Sequence, residues 1–348
     1  MKQHRGLAQR ILAALLTMSA VIALSACSLR SQSSATPSTT SSTLSGPIPV
    51  VATIRPWGSL AQELGGNQVK VTTIISDPNL AIQEYEPKTT DITTIGKSRI
   101  EIVNGAGYDD WATKSVPKDA TLVSAADAVG ASEGDNPYLW FSKDVRNSVA
   151  TEVTEAYIKA LPNQKAYFNA RLKAWKKSET TLETLIQTVA SQSKKKLTYA
   201  QERPIAYYLM ADLGFSDKTP KKFAQALGGN EEPTVDEVDE FVNLLGKSKH
   251  PSIFLEDSTR QSTETQEKLV TTAKGNAVPM TDVTEEMPTQ ETTLNEWIST
   301  ITTNIAKALE LRTKIQSEDS DAESTQATVS DSASPSTSGS DATPSSTQ

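Results

Sequence analysis

Apolar residues fall along this chain in two alternating rhythms, short β-branched runs and longer stretches with a helical period. The runs at 50–54, 69–75, 100–103 and 121–123 read as strands. Leu60 and Leu64 mark a helix between the first two, stopped by Gly65-Gly66. After Asp144, the series Val145, Val149, Val153, Ala156 and Ala160 outlines one helical face. Pro162 opens a second helix reaching about residue 192, with Leu172, Trp175, Leu182, Leu185 and Val189 available for burial. A helix of about thirty residues is about 45 Å long, enough to run the height of a domain. Strands are then expected at 197–200, 252–255 and 277–283, and helices at 205–213, 234–245, 264–273 and 294–311. The pattern predicts an α/β fold of two Rossmann-like lobes joined by one long helix, with a ligand cleft between the lobes at the carboxyl ends of the strands.

The ends of the chain break this rhythm. Lys2, Arg5 and Arg10 precede an apolar stretch at 11–24 that is too short to span a bilayer, and Leu24-Ser25-Ala26-Cys27 closes it. This is the spacing of a bacterial lipobox, so residues 1–27 are expected to be a lipoprotein signal peptide, with lipid attached to Cys27. Cys27 is the only cysteine, which excludes an intrachain disulfide. Residues 28–47 are rich in Ser and Thr and read as a tether with an r.m.s. span of roughly 25 Å. Residues 316–348 hold six acids and no Lys or Arg among Ser, Thr and Ala, the composition of a disordered acidic tail. The 348 residues thus divide into signal peptide, tether, an N-terminal lobe at 48–161, a linking helix at 162–195, a C-terminal lobe at 196–315, and the tail.

Net charge is −8, and no basic stripe interleaves with aromatics, so no nucleic-acid partner is expected. Gly96-Lys97-Ser98 and Gly246-Lys247-Ser248 lack the glycine five positions earlier that a phosphate loop needs. Gly105-Ala106-Gly107 lacks the third glycine of a dinucleotide turn, because Asp110 stands there. His4 leaves with the signal peptide, so His250 is the only histidine of the mature chain, and no Gly-x-Ser-x-Gly elbow accompanies it. The chain is not expected to be an enzyme.

A set of segments, in order along nearly the whole folded part, resembles a known family. Val51-Ala52-Thr53-Ile54-Arg55-Pro56-Trp57 with Leu64-Gly65-Gly66, Glu84-Tyr85-Glu86-Pro87, Asn104-Gly105-Ala106-Gly107-Tyr108, Asn136-Pro137-Tyr138-Leu139-Trp140, and Val283-Thr284-Glu285-Glu286-Met287-Pro288 are similar to the lipoprotein receptors of zinc and manganese ABC importers. The resemblance implies two lobes holding a metal between them, and a membrane permease that receives it. The ligand set departs from the family's. Gln83 stands where the family has a histidine before the acidic-Tyr-Glu-Pro turn, and Tyr138 where it has a histidine after Asn-Pro. Arg203 falls where relatives carry His or Glu, in a register that leaves Glu202 as the alternative cleft residue. The last position keeps a carboxylate, from Glu285 or Asp282.

A neutral amide is a poor replacement for imidazole, a protonated phenol a poorer one, and a guanidinium has no free lone pair for a metal. The cleft candidates are therefore Gln83, Tyr138, Arg203, Asp282 and Glu285, with no metal expected beyond the weak candidates Asp282 and Glu285. Three readings stay open. The first is an extracytoplasmic substrate-binding lipoprotein with most metal ligands replaced, binding another solute or none. The second is a receptor still importing a metal through an oxygen-rich site with Glu84, Glu86, Asp282 and Glu285, suited to manganese or calcium more than zinc. The third is an adhesin-like surface protein on the same scaffold. The expected protein is a monomer on the outer face of the cytoplasmic membrane, with an ABC permease as its partner.

Overall fold

The computed structural model describes residues 46–78, 80, 82, 85–192, 196–228, 231–258 and 262–313. The lipobox with Cys27, most of the tether, Gln83, Glu84 and the tail at 316–348 lie outside the described residues.

Two four-stranded parallel sheets form two lobes. The first contains β1 (Ile48–Ile54), β2 (Val69–Ile75), β3 (Ile100–Val103) and β4 (Thr121–Ser124) in the order β2-β1-β3-β4. The second contains β5 (Thr198–Gln201), β6 (Ser216–Asp217), β7 (Ile253–Glu256) and β8 (Met280–Asp282) in the order β6-β5-β7-β8. The two orders are the same winding used twice. In each sheet the chain reverses direction of travel beside its first strand, and the crevice at the carboxyl ends of β1 and β3, or of β5 and β7, is where such folds hold ligands.

The central strands are almost wholly buried, as parallel strands covered on both faces must be. α1 (Arg55–Gly65) starts directly after β1 with proline at its first turn. It buries Trp57, Leu60, Ala61 and Leu64 and ends at Gly66, whose φ of 54° a side chain would strain. α3 (Lys143–Ala160) is capped by Ser142, which accepts from the Val145 amide. α4 (Lys165–Ser191) is the long helix joining the lobes, about 40 Å in length. It is preceded by a separate 3₁₀ turn at Pro162–Gln164. Phe168, Trp175, Leu182 and Val189 recur every seven residues along one buried stripe of α4, and Arg146 of α3 pairs with Glu179 beside that stripe. α9 (Leu294–Ala308) packs on α4 and closes the second lobe back against the first. One hydrophobic core runs from β1 and β3 through α3 and α4 to β5, β7 and α9, so the lobes share their interior.

Several elements differ from the sequence expectation. α2 (Thr89–Ile95) carries no apolar stripe and buries only Ile95, which is why periodicity missed it. α6 (Lys221–Gly228) was not expected either, and α5 is reduced to Tyr207–Asp212 after a 3₁₀ turn at Pro204–Ala206. The strand expected at 277–283 begins only at Met280, because Ala277 has φ of 53° and Pro279 has no amide hydrogen for a ladder. α9 stops at Ala308, three residues short of the expected end, with Glu310 at φ of 55° beyond it. α7 (Val235–Leu245) and α8 (Glu264–Gly275) fall where the helical pattern put them.

Candidate functional site

The site is built at the carboxyl ends of the strands. After β3 the chain turns at Gly105, whose φ is 75°. Asp109, fully buried, holds this turn by accepting from the Asn104 amide at 2.7 Å, the Gly105 amide at 2.8 Å and the Thr53 hydroxyl. The Asn104 side chain accepts from the Trp57 indole at 3.1 Å and donates to the Pro137 carbonyl at 2.9 Å, fastening this turn to the loop that carries Tyr138. Tyr108, Tyr138 and Trp140 then meet edge to face, with ring centroids 5.5 to 6.1 Å apart. Asn136 reaches the other lobe by donating to the Pro204 carbonyl at 2.7 Å, and the Tyr208 hydroxyl donates to the Asn136 carbonyl at 3.0 Å.

Arg203 is the residue on which these parts converge. It lies two positions beyond β5 and begins the turn before Pro204. Its Nη2 donates to the Tyr138 hydroxyl at 2.7 Å, and its Nη1 donates to Glu285 and, at 3.4 Å, to Asp257. Burial disfavours the guanidinium charge, and the Tyr138, Glu285 and Asp257 oxygens outweigh that effect and raise its pKa. The structure therefore brings Tyr138, Arg203 and Glu285 together, with Glu202 lining the same cleft. It takes Asp282 elsewhere: that carboxylate accepts from the Ser258 amide at 2.8 Å and the Ser258 hydroxyl at 2.7 Å, bracing the turn after β7.

Sequence reasoning missed three contributors. Asp257 is 3% exposed and immediately follows β7, the strand beside β5, a position whose chemistry the strand order alone makes suspect. Tyr108 and Glu286 form the second layer of the cluster. The Tyr108 hydroxyl lies 3.0 Å from Glu285 Oε1 and 3.2 Å from Glu286 Oε1. A phenol has one proton to give, so donating to Glu285 leaves its oxygen to accept from the Glu286 carboxyl. That requires Glu286 to keep its proton, and burial followed by the nearby Glu285 charge pushes its pKa well above the usual carboxylate range. Beside this layer, Arg55 donates from Nε to the Met287 carbonyl at 2.8 Å and from Nη2 to the Pro288 carbonyl at 3.2 Å.

Among the described residues, no three His, Cys, Asp or Glu side chains gather to hold a metal. His250 stands apart in a loop, with Nδ1 at 2.8 Å from the Pro251 carbonyl. Above the Arg203 cluster, residues of both lobes line an open cleft of about 930 Å³.

The chain is 27% identical over 265 residues to the manganese ABC transporter substrate-binding lipoprotein scaA of Streptococcus gordonii, covering 70% of this chain and 80% of that protein. It is 24% identical over 237 residues to the metal ABC transporter substrate-binding lipoprotein SsaB of Streptococcus sanguinis, covering 62% and 74% respectively. In fold it resembles the periplasmic zinc binding protein TroA from Treponema pallidum, with a TM-score of 0.62 at 16% identity over 76% of this chain and 99% of that one. A mutant of the laminin-binding adhesin Lmb from Streptococcus agalactiae gives a TM-score of 0.63 at 15% identity, over 75% and 99%. The family model of ZnuA, zinc-uptake complex component A, periplasmic, matches residues 50–308, and the chain belongs to that family.

Proposed function

We propose that this chain is the substrate-binding lipoprotein of a metal-importer-type ABC system in which Arg203 takes the place of the bound cation. It is anchored outside the cytoplasmic membrane through Cys27 and works with a permease, a reading supported by the lipobox and by relatives named as ABC transporter substrate-binding lipoproteins. The observation that supports this reading is the guanidinium itself, held by Glu285, Asp257 and the Tyr138 hydroxyl at the meeting point of the lobes. A guanidinium carries no free lone pair and keeps its charge, so it satisfies the carboxylates while repelling a second cation. These ion pairs lie within the second lobe, and the hydrogen bonds of Arg203 to Tyr138 and of Tyr108 to Glu285 join that lobe to the first. A metal site from Glu84, Glu86, Asp282 and Glu285 has less support, since Asp282 is engaged by Ser258 and Glu285 by Arg203 and Tyr108.

The test is metal content. The purified protein is expected to carry no stoichiometric zinc or manganese by mass spectrometry and to show no thermal shift with micromolar zinc. Gln83→His, Tyr138→His and Arg203→Glu together are expected to supply three donors beside Glu285 and to make the melting temperature rise with zinc concentration. Stoichiometric zinc or manganese in the unmodified protein overturns the proposal.

A further inference from the structure

The N-terminal ends of β1 to β4 form one pole of the first lobe, at the end of the strands opposite the cleft. Five stretches of chain meet there. Residues 46–49 lead into β1, 66–70 into β2, 96–99 into β3 and 117–120 into β4, while 161–165 join α3 to α4. Pairing holds them side by side: Pro49 faces Lys70 across β1 and β2, the Arg99 amide donates to the Pro49 carbonyl at 2.9 Å, and the Thr121 amide donates to the Arg99 carbonyl at 3.0 Å. The Asn67 amide donates to the Tyr167 hydroxyl at 3.3 Å, which brings the start of α4 to the same end.

These stretches hold five cations, Lys70, Lys97, Arg99, Lys118 and Lys165, against one acid, Asp119, a net of +4 in a chain whose total is −8. Asp119 is taken by Arg99 at 2.9 Å. The four lysines are exposed and make no ion pair among the described residues, whereas Lys143 and Lys268 elsewhere are paired with Glu183 and Asp239. Lys70 belongs to β2 and Lys118 to the approach to β4, the two edges of the sheet. Three strand spacings separate those edges, on the order of 14 Å, so the charges are spread over a face and do not converge on one small anion.

A second observation, independent of charge, identifies what this face meets. Residues 28–47, which by composition span roughly 25 Å, connect Cys27 to β1 and so bring the chain to this pole. With lipid on Cys27, the bilayer lies within that reach of Ile48. A short tether also keeps the pole at high effective concentration over the headgroups, so contacts that are weak one by one suffice.

We infer that this pole of the first lobe rests on a bilayer surface bearing anionic headgroups, with Lys70, Lys97, Lys118 and Lys165 against them. The strands then point away from the bilayer, and the cleft at their carboxyl ends stays open to solvent. The inference rests on the anchoring through Cys27 proposed above.

The experiment uses the full mature chain, Cys27 to Gln348, coupled through the Cys27 thiol, the only one in the sequence, to a maleimide lipid. It therefore does not depend on acylation in the cell. Acetylation of individual lysines is followed by mass spectrometry on vesicles containing phosphatidylglycerol and on vesicles of phosphatidylcholine alone. Lys70, Lys97 and Lys118 are expected to react about fivefold more slowly on the anionic vesicles, and high salt is expected to remove the difference. Lys196, Lys247 and Lys249, exposed at the corresponding end of the second sheet, are the internal control and are expected to react alike on both. Lys70→Gln with Lys97→Gln and Lys118→Gln is expected to release Lys165 from protection. All three side chains are exposed, so this variant keeps the fold, checked by its melting curve. Equal acetylation of the first-lobe lysines on the two vesicles, equal protection of the control lysines, or protection of Lys165 that persists in the triple variant overturns the inference. So does protection that inorganic phosphate reproduces on phosphatidylcholine vesicles, which would show an anion site in place of a bilayer face. Fatty-acid incorporation at Cys27 in cells judges the anchor separately, so loss of the anchor and loss of the docking face are different results.

Discussion

Arg203 and Tyr138 meet across the cleft at 2.7 Å, a guanidinium from the second lobe donating to a phenol from the first. The two partners are unequal. Tyr138→Phe removes one hydrogen bond and leaves the ion pairs, for an expected loss of about 1 kcal/mol. Arg203→Ala takes the cation from two nearly buried carboxylates, Glu285 and Asp257, for an expected loss of about 3 kcal/mol. Urea unfolding of the two variants checks the ranking, and equal losses would show that Arg203 contributes through Tyr138 alone.

Stability is expected to fall as pH rises toward 8, the reverse of ordinary acid denaturation. Glu101 is fully buried in β3, and burial pushes its pKa from 4.5 up to about 8. The unfolded chain releases this proton above pH 4.5 while the folded protein keeps it, so each pH unit in that window costs up to about 1.4 kcal/mol. Glu101→Gln does not titrate. Its stability relative to wild type is expected to improve by up to about 3 kcal/mol between pH 5 and pH 8, whatever the amide costs at a single pH. Parallel stability curves for the two proteins across that range would refute this.

The pair between Arg146 of α3 and Glu179 of α4 is buried, with side chains 0% and 2% exposed and an N–O distance of 2.6 Å. Arg146 also donates to the Trp140 carbonyl at 3.1 Å, which ties the pair to the loop bearing Tyr138. Glu179→Ala strands a buried guanidinium and is expected to cost about 3 to 5 kcal/mol. Replacing both partners, Arg146→Met with Glu179→Leu, is expected to cost less than the single change. Chemical denaturation of the single and double variants decides it, and a double variant weaker than the single one contradicts the argument.

Cys27→Ala is expected to abolish incorporation of radiolabelled fatty acid and to leave the precursor uncleaved or the protein shed into the medium. Normal processing together with retention in the membrane fraction would refute lipid attachment at this residue.

Much of the fold was legible because burial imposes a period. Leu60 and Leu64 announce α1, and the Val145 to Ala160 series announces α3. α2 was not legible, since Thr-Thr-Asp-Ile-Thr-Thr-Ile has neither a stripe nor strong helix formers, and a single buried residue fixes it. β6 has two residues, both exposed, and nothing in its sequence marks it as a strand. At the site, Tyr138, Arg203 and Glu285 could be read from their place in segments that resemble a family. Asp257 and Tyr108 could not be assigned to the same point, because their partners lie 54 and 177 positions away, and the pairing of β5 with β7 in one case and the meeting of the two lobes in the other make them neighbours.

The repeated strand order gives each lobe an arginine followed by proline just past its first strand, Arg55-Pro56 after β1 and Arg203-Pro204 after β5. Both arginines reach into the same stretch beyond β8, one gripping the Met287 and Pro288 carbonyls and the other the Glu285 carboxylate. The halves are thus geared to four consecutive residues. A bend in the long helix cannot part them while that stretch is held at both ends, and a shift of one residue within it would reset the angle of both halves at once.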